Sequence, residues 1–165
     1  MDVPWQGKFD MFCGIYAASH LVMELGSGRV RDQASVFRDL IASAEALKLL
    51  SAKRITDLGF SDRQIARIFN GLSPTRRRNL RATPFSSSAF KEWKAGRTGR
   101  QVIGSGCGAI IQQDGDCHWI AALRVDESGQ YDCYDSWSQS PVNKRGRINW
   151  GRGVLIGPND LGELN

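Results

Sequence analysis

The sequence predicts an α+β domain in which N-terminal helices pack on a C-terminal antiparallel β-sheet. Two observations carry this prediction. Apolar residues recur at helical spacing up to about residue 72, and segments with β character follow after Gly99. Helices that come first and strands that come later are typical of α+β folds, whereas regular alternation of strand and helix would indicate a parallel sheet.

The 165 residues are expected to form a single domain, 1–165. Domains typically contain roughly 100–150 residues, and a chain of this length buries enough surface to fold without disulfides or a metal. No run of about 18 apolar residues occurs, so no transmembrane segment is expected. The first residues lack the basic-then-apolar order of a secretion signal, so the default expectation is a cytoplasmic protein with free thiols. The alternative is an effector that is secreted without a cleaved signal peptide.

Two helices are predicted within the first 50 residues. The segment 13–25 is apolar almost all round, which is typical of a buried helix, and Gly26 and Gly28 follow it as terminators. The segment 33–50 repeats its apolar residues at helical spacing, and Asp32 is placed to cap its N-terminus.

A third helix is predicted after Ser61, because Ser61 and Gln64 match a capping box and apolar residues follow at helical spacing. Ser73-Pro74 is expected to close this helix. The segment 74–88 is rich in Pro, Ser, Thr and Arg, which is typical of a loop. We therefore expect a basic loop or insert over about 74–100.

Segments with β character alternate with turn signals in the C-terminal part of the chain: 101–103, 109–112, 119–125, 130–134 and 148–156. Asp114-Gly115 is a strong signal for a tight turn, so the segments on either side of it are expected to form a hairpin. A second turn over 126–129 leads into the next strand. These strands are expected to form the antiparallel sheet.

Three polar residues occupy positions that suit nucleophilic catalysis. Cys13 begins the first helix, where the positive end of the helix dipole favours a thiolate. His118 opens a strand, and Asp135 ends the next strand, 17 residues later. Antiparallel neighbours joined by a short turn bring the start of one strand near the end of the next, so His118 and Asp135 are expected to meet at one edge of the sheet. A helix N-terminus packed there would complete a Cys–His–Asp triad of nucleophile, base and orienting group.

Four short motifs resemble the papain-like cysteine peptidase superfamily: Gln6, Cys13-Gly14-Ile15-Tyr16-Ala17, His118-Trp119 and Tyr134-Asp135-Ser136-Trp137. The arrangement is most similar to the small bacterial branch that includes the double-glycine leader peptidases of bacteriocin exporters. The resemblance implies a papain-like fold in which Cys13 is the nucleophile, His118 the general base and acid, and Asp135 the group that orients the imidazole. It also implies that Gln6 and the Cys13 N–H bind the oxyanion. It implies no cofactor and no metal.

Other residues supply competing hypotheses. His20 lies seven residues, or ~10 Å, along the helix from Cys13. This distance is too long for His20 to act as the base that takes the proton of Cys13, so His20 is interpreted as a packed or partner-binding residue. Cys107, within a Gly-rich stretch, is the second candidate nucleophile. A metal site with irregular ligand spacing is a further alternative. Its ligands would be Cys13, His118, Cys133 and Asp135.

Positive charge is concentrated in residues 76–100. This segment holds eight basic side chains and one acidic side chain, a net +7, so the other 140 residues sum to −2. One interpretation is a contact for an acidic protein or an anionic surface, and the other is a solvated face beside a loop.

The sequence therefore predicts a thiol-dependent hydrolase, a cysteine peptidase or amidase, that cleaves a peptide or isopeptide bond in a peptide or protein substrate. The first alternative is the same triad used for glutamine deamidation or acyl transfer, as in a bacterial effector or toxin. The second is a non-enzymatic module that binds nucleic acid or an acidic protein through residues 76–100, with an affinity that falls steeply as salt rises.

Overall fold

The structure is a computed structural model that describes residues 12–26, 32–55, 59–86, 103, 106–112, 118–125, 130–136, 143–145 and 152–158. Within them the chain forms three α-helices followed by six β-strands. The helices are α1 (Cys13–Leu25), α2 (Gln33–Ala46) and α3 (Asp62–Asn70), and the strands are β1 (Leu80–Ser86), β2 (Gly108–Gln112), β3 (Trp119–Val125), β4 (Tyr131–Tyr134), β5 (Asn143–Arg145) and β6 (Arg152–Pro158). Every strand pair is antiparallel, which confirms the predicted α+β class.

Helix α2 begins where the sequence predicts and ends earlier. The Asp32 carboxylate accepts a hydrogen bond from the Ser35 N–H at 2.7 Å, as expected of an N-cap. The prediction that the helix continues to residue 50 is wrong, because Lys48 adopts a left-handed φ of 56°. The N–H of Leu49 then bonds to the carbonyl of Ala44 at 2.9 Å, the closing bond of a Schellman motif.

Helix α3 shows the predicted capping box. The Gln64 side chain accepts from the Ser61 N–H at 3.0 Å, and the Ser61 hydroxyl accepts from the Gln64 N–H at 3.4 Å. The helix ends at Asn70, before the predicted Ser73-Pro74 stop, and the Gly71 N–H bonds to the Arg67 carbonyl at 2.9 Å.

The sheet has the strand order β1-β6-β2-β3-β4-β5 within the described residues. The predicted hairpin is confirmed, since β2 and β3 pair over 109–112 and 119–122. The predicted strand 130–134 corresponds to β4. One or two strands are predicted over 148–156; residues 152–156 belong to β6, whereas 148–151 lie outside the described residues. Strand β5 was not anticipated. Of the predicted strand 101–103, only Ile103 lies within the described residues, and it is buried.

The prediction of a loop or insert over about 74–100 is wrong for residues 80–86, which form the edge strand β1. A proline is tolerated there because an edge strand leaves one row of backbone groups unpaired within the sheet, and Pro84 lies opposite Val154. The amide side chain of Asn70 bonds both the N–H and the carbonyl of Ala82, at 3.0 and 2.7 Å. The polar composition that indicated a loop therefore belongs to an edge strand, and a side chain of α3 supplies some of the hydrogen bonds that its backbone groups need. Residues 87–100 lie outside the described residues.

The sheet has an apolar core on each face. On one face α1 packs on β2 and β3, and α3 packs on β1 and β6, while α2 covers both helices. Alternation along a strand assigns neighbouring residues to different cores, so Ile110 and Trp119 belong to the helix side and Ile111 and Ile120 to the other. No helix in the described part of the chain combines the length and apolar character needed to cross a membrane.

Candidate active site

Cys13 is the first residue of α1 and is 2% exposed. The carbonyl of Phe12 accepts the first helical bonds, from Ile15 N–H at 2.8 Å and from Tyr16 N–H at 2.9 Å. Within the described residues, no side chain caps this helix and its first turn holds no acidic residue. The partial positive charge of a helix N-terminus favours a thiolate at Cys13.

The sulfur of Cys13 lies against the start of β3. The backbone N–H of Trp119 donates to Cys13 Sγ with an N–S distance of 3.4 Å, although the two residues are 106 positions apart in the chain. An amide donor on sulfur stabilises the anion more than the neutral thiol, because the bond is then charge-assisted. Trp119 directly follows His118, so this contact places the predicted nucleophile close in the fold to the predicted base.

His118 and Asp135 meet as the strand order predicts. His118 Nε2 and Asp135 Oδ1 are 2.7 Å apart, and the two residues are 1% and 5% exposed. Strands β3 and β4 bring them together because Ala121 lies opposite Tyr134, so the beginning of one strand lies beside the end of the other. A carboxylate only accepts, so when Asp135 accepts from Nε2–H of a neutral imidazole, Nδ1 is the acceptor nitrogen of the ring.

Gln6, the predicted oxyanion donor, lies outside the described residues, as do Cys117 and Trp137. The structure therefore pairs His118 directly with Asp135, and it places the Cys13 sulfur on the backbone amide of Trp119, the residue that follows His118.

His20 is packed in the interior of the protein. Its ring stacks on that of Tyr134 with centroids 4.1 Å apart and an angle of 11° between the planes. Burial lowers the pKa of His20 to about 4, so the imidazole is neutral at physiological pH. Within the described residues its Nε2 atom is buried without a hydrogen-bond partner. This fits the predicted packing role.

Sequence reasoning missed the polar support around Tyr134, the residue that precedes Asp135. Burial raises the pKa of Tyr134 to about 12, and a hydrogen bond from Gln33 opposes that rise. The Gln33 amide donates to the Ser19 hydroxyl at 3.1 Å, and that hydroxyl donates to the Tyr16 carbonyl at 2.8 Å. These contacts join α1, α2 and β4. No local sequence pattern predicts them.

The other cysteines lie elsewhere in the fold. Cys107 and Cys133 are buried in the core on the face of the sheet that is opposite the helices, whereas Cys13 belongs to the helix-side core. The strand register places Ala109 opposite Ala122, so Cys107 lies toward the end of β3 that is far from His118. This position argues against Cys107 as the nucleophile beside the His118–Asp135 pair. Among the residues that the structure describes, no group of three or more His, Cys, Asp or Glu side chains is arranged to hold a metal ion.

Three arginines of the basic segment make contacts inside the fold. Arg76 forms an ion pair with Asp39, Arg77 donates to the Leu80 carbonyl at 2.5 Å, and Arg78 donates to the Gly26 carbonyl at 2.7 Å. These side chains stabilise the turn before β1 and the C-terminus of α1. The basic residues at 91–100 lie outside the described residues, so the predicted docking role of the segment stays a hypothesis about that part.

No protein-family model matches this chain, and no curated protein matches it.

Proposed function

We propose that this protein is a papain-like thiol hydrolase, a cysteine peptidase or amidase, that uses Cys13, His118 and Asp135 to cleave a peptide or isopeptide bond. The observation that carries the proposal is the buried 2.7 Å hydrogen bond between His118 and Asp135, next to the residue whose amide bonds the Cys13 sulfur. This arrangement supports the proposal, because covalent catalysis by cysteine requires a nucleophile, a base beside it and a group that orients the base.

The first step forms the nucleophile. The Cys13 thiol gives its proton to His118 Nδ1, and the resulting thiolate and imidazolium form an ion pair. Asp135 stabilises the imidazolium through Nε2–H, while the helix N-terminus and the Trp119 amide stabilise the thiolate. Because all three residues are buried, these interactions are stronger than they would be in water.

The next steps break and release the bond. The thiolate attacks the carbonyl carbon, and the oxyanion that forms is stabilised by N–H donors at the start of α1, with Gln6 as the proposed side-chain donor. The C–N bond breaks as His118 protonates the leaving amine, which leaves a thioester on Cys13. His118 then takes a proton from water, whose oxygen attacks the thioester and releases a carboxylate and the free thiol.

Hydrolysis, glutamine deamidation and acyl transfer share this thioester and differ in the leaving group and the acceptor. Ammonia leaves in deamidation, and an amine replaces water in acyl transfer. A single experiment with a mixture of peptide substrates distinguishes the three reactions, because each reaction changes the mass of the product differently.

The proposal is tested with a proteome-derived peptide library analysed by mass spectrometry for new termini, for Gln-to-Glu conversion and for added amines. We expect wild-type protein and the control variant Cys107→Ala to turn over the same peptides. We expect Cys13→Ala and His118→Ala to lose turnover while circular dichroism shows an intact fold. Turnover that persists unchanged in both variants would refute the triad.

A further inference from the structure

We propose that Trp119 is a positioning residue, whose indole fastens the first residue of β3 between α1 and α3 and thereby holds its own backbone N–H on the Cys13 sulfur. This inference rests on the proposed function, because it assigns a role toward the nucleophile. The indole acts through the backbone amide and touches no reacting atom itself.

The indole is tied to the start of α3. Its Nε1–H donates to the carbonyl of Phe60 at 2.9 Å, and both residues are buried, at 5% and 3% exposure. Phe60 directly precedes Ser61, whose capping box begins α3. The hydrogen bond therefore links β3 to a segment whose conformation is fixed by the helix that follows it.

The same indole lies against the start of α1. A Cβ atom placed on Gly14 would be 3.5 Å from Trp119 Cδ1 and 2.4 Å from Ile65 Cδ1, so the helix backbone beside Cys13 is in close contact with Trp119 and α3. Glycine at this position permits that approach. Trp119 thus contacts the neighbour of the nucleophile with its side chain and the nucleophile itself with its backbone.

These contacts have a consequence for the chemistry of Cys13. Without the indole N–H, the buried Phe60 carbonyl loses its donor and the start of β3 loses its link to α3. The amide-to-sulfur hydrogen bond, at 3.4 Å, depends on where β3 begins, and His118 is joined to the same amide through a peptide bond. We therefore expect loss of the indole bond to make the thiolate less favourable.

The test compares the pH dependence of iodoacetamide labelling at Cys13 in wild-type protein, Trp119→Phe, Asn70→Ala and His118→Ala. The matched control is Asn70→Ala, because it also removes hydrogen bonds between α3 and the sheet but acts at the opposite end of the helix, on β1. We expect Trp119→Phe to raise the labelling midpoint by about one pH unit, a tenfold change in the thiolate equilibrium. We expect Asn70→Ala to leave the midpoint unchanged.

A second variant covers the case in which Trp119→Phe does not fold. Replacing residue 119 by β-(3-benzothienyl)alanine keeps the ring shape and removes only the N–H, and it should raise the midpoint in the same direction. An unchanged midpoint in the folded variant, or an equal rise in Asn70→Ala, would overturn the positioning role. If the wild-type midpoint is that of an ordinary thiol and is insensitive to His118→Ala, the proposed function itself fails, and the positioning role fails with it.

Discussion

The buried imidazole of His20 predicts how the stability of the fold changes in mild acid. Burial lowers its pKa from 6.5 to about 4, and the Glu24 carboxylate, 4.0 Å from Nε2, has a side chain that is 52% exposed and offers little compensation. Below pH 6.5 the unfolded chain binds a proton at His20 that the folded chain does not bind. The free energy of unfolding therefore falls as the pH drops from 6.5 toward 4, and this contribution is constant above that window.

The size of the effect follows from the two pKa values. The gap between 6.5 and about 4, at ~1.4 kcal/mol for each pH unit, corresponds to about 3 kcal/mol, of which about 2 kcal/mol should be lost between pH 7 and pH 5. The matched variant is His20→Phe, which keeps an aromatic ring against Tyr134 and removes the titration. We expect the variant to lose about 2 kcal/mol less than wild type over this range.

The assay is urea unfolding followed by circular dichroism at pH 7, 6 and 5 for both proteins. Carboxylates and His118 are common to the two chains, so their contributions cancel in the difference between the curves. Curves that run parallel from pH 7 to pH 5 would refute the reasoning, because they would mean that His20 takes up its proton equally well in the folded and unfolded states.

Three further predictions concern single side chains. Gly153→Ala should lower the free energy of unfolding, measured by urea titration, by at least ~2 kcal/mol, because the new Cβ would lie 2.4 Å from a backbone carbonyl oxygen of β2. A loss below ~0.5 kcal/mol would contradict this close approach. Arg78→Ala should lower the free energy of unfolding by about 1–2 kcal/mol, because it removes the hydrogen bond to the Gly26 carbonyl. The control is the exposed Arg38→Ala, and an equal loss in both variants would contradict a stabilising role for this bond. Asp135→Ala should slow iodoacetamide labelling of Cys13 at pH 6 by roughly tenfold. Asp135→Asn should slow it less, because the amide oxygen still accepts a hydrogen bond from the imidazole. Identical labelling rates in the two variants would be inconsistent with an orienting hydrogen bond.

The parts of the fold that local chemistry determines could be predicted from the sequence. Asp32 and the Ser61–Gln64 pair cap their helices through bonds that span three residues, and the two strands around Asp114-Gly115 pair because they are close along the chain. Strand β1 could not be predicted in this way. Its polar residues and Pro84 are typical of loops, and only pairing with β6 and the bond from Asn70 make the segment a strand.

The contacts of the candidate site also differ in whether the sequence could predict them. The meeting of His118 and Asp135 follows from antiparallel pairing of neighbouring strands, so residue order was enough to predict it. The Trp119 amide on the Cys13 sulfur joins residues 106 positions apart and depends on how α1 packs against β3. The stacking of His20 on Tyr134 depends on the same packing, and neither contact has a sequence pattern that would announce it.

The most direct test of the proposed triad is the rate of iodoacetamide labelling at each cysteine from pH 4 to pH 9, measured by mass spectrometry. Cys107 and Cys133 are as deeply buried as Cys13, so they serve as internal controls for access. An ordinary thiol has a pKa of ~8.5, and an activated one titrates at roughly 3.5–7.5. We expect Cys13 alone to label rapidly at low pH and His118→Ala to abolish that reactivity. A Cys13 that reacts no faster than Cys107 and Cys133 across the whole range would contradict the proposed ion pair and the hydrolase built on it.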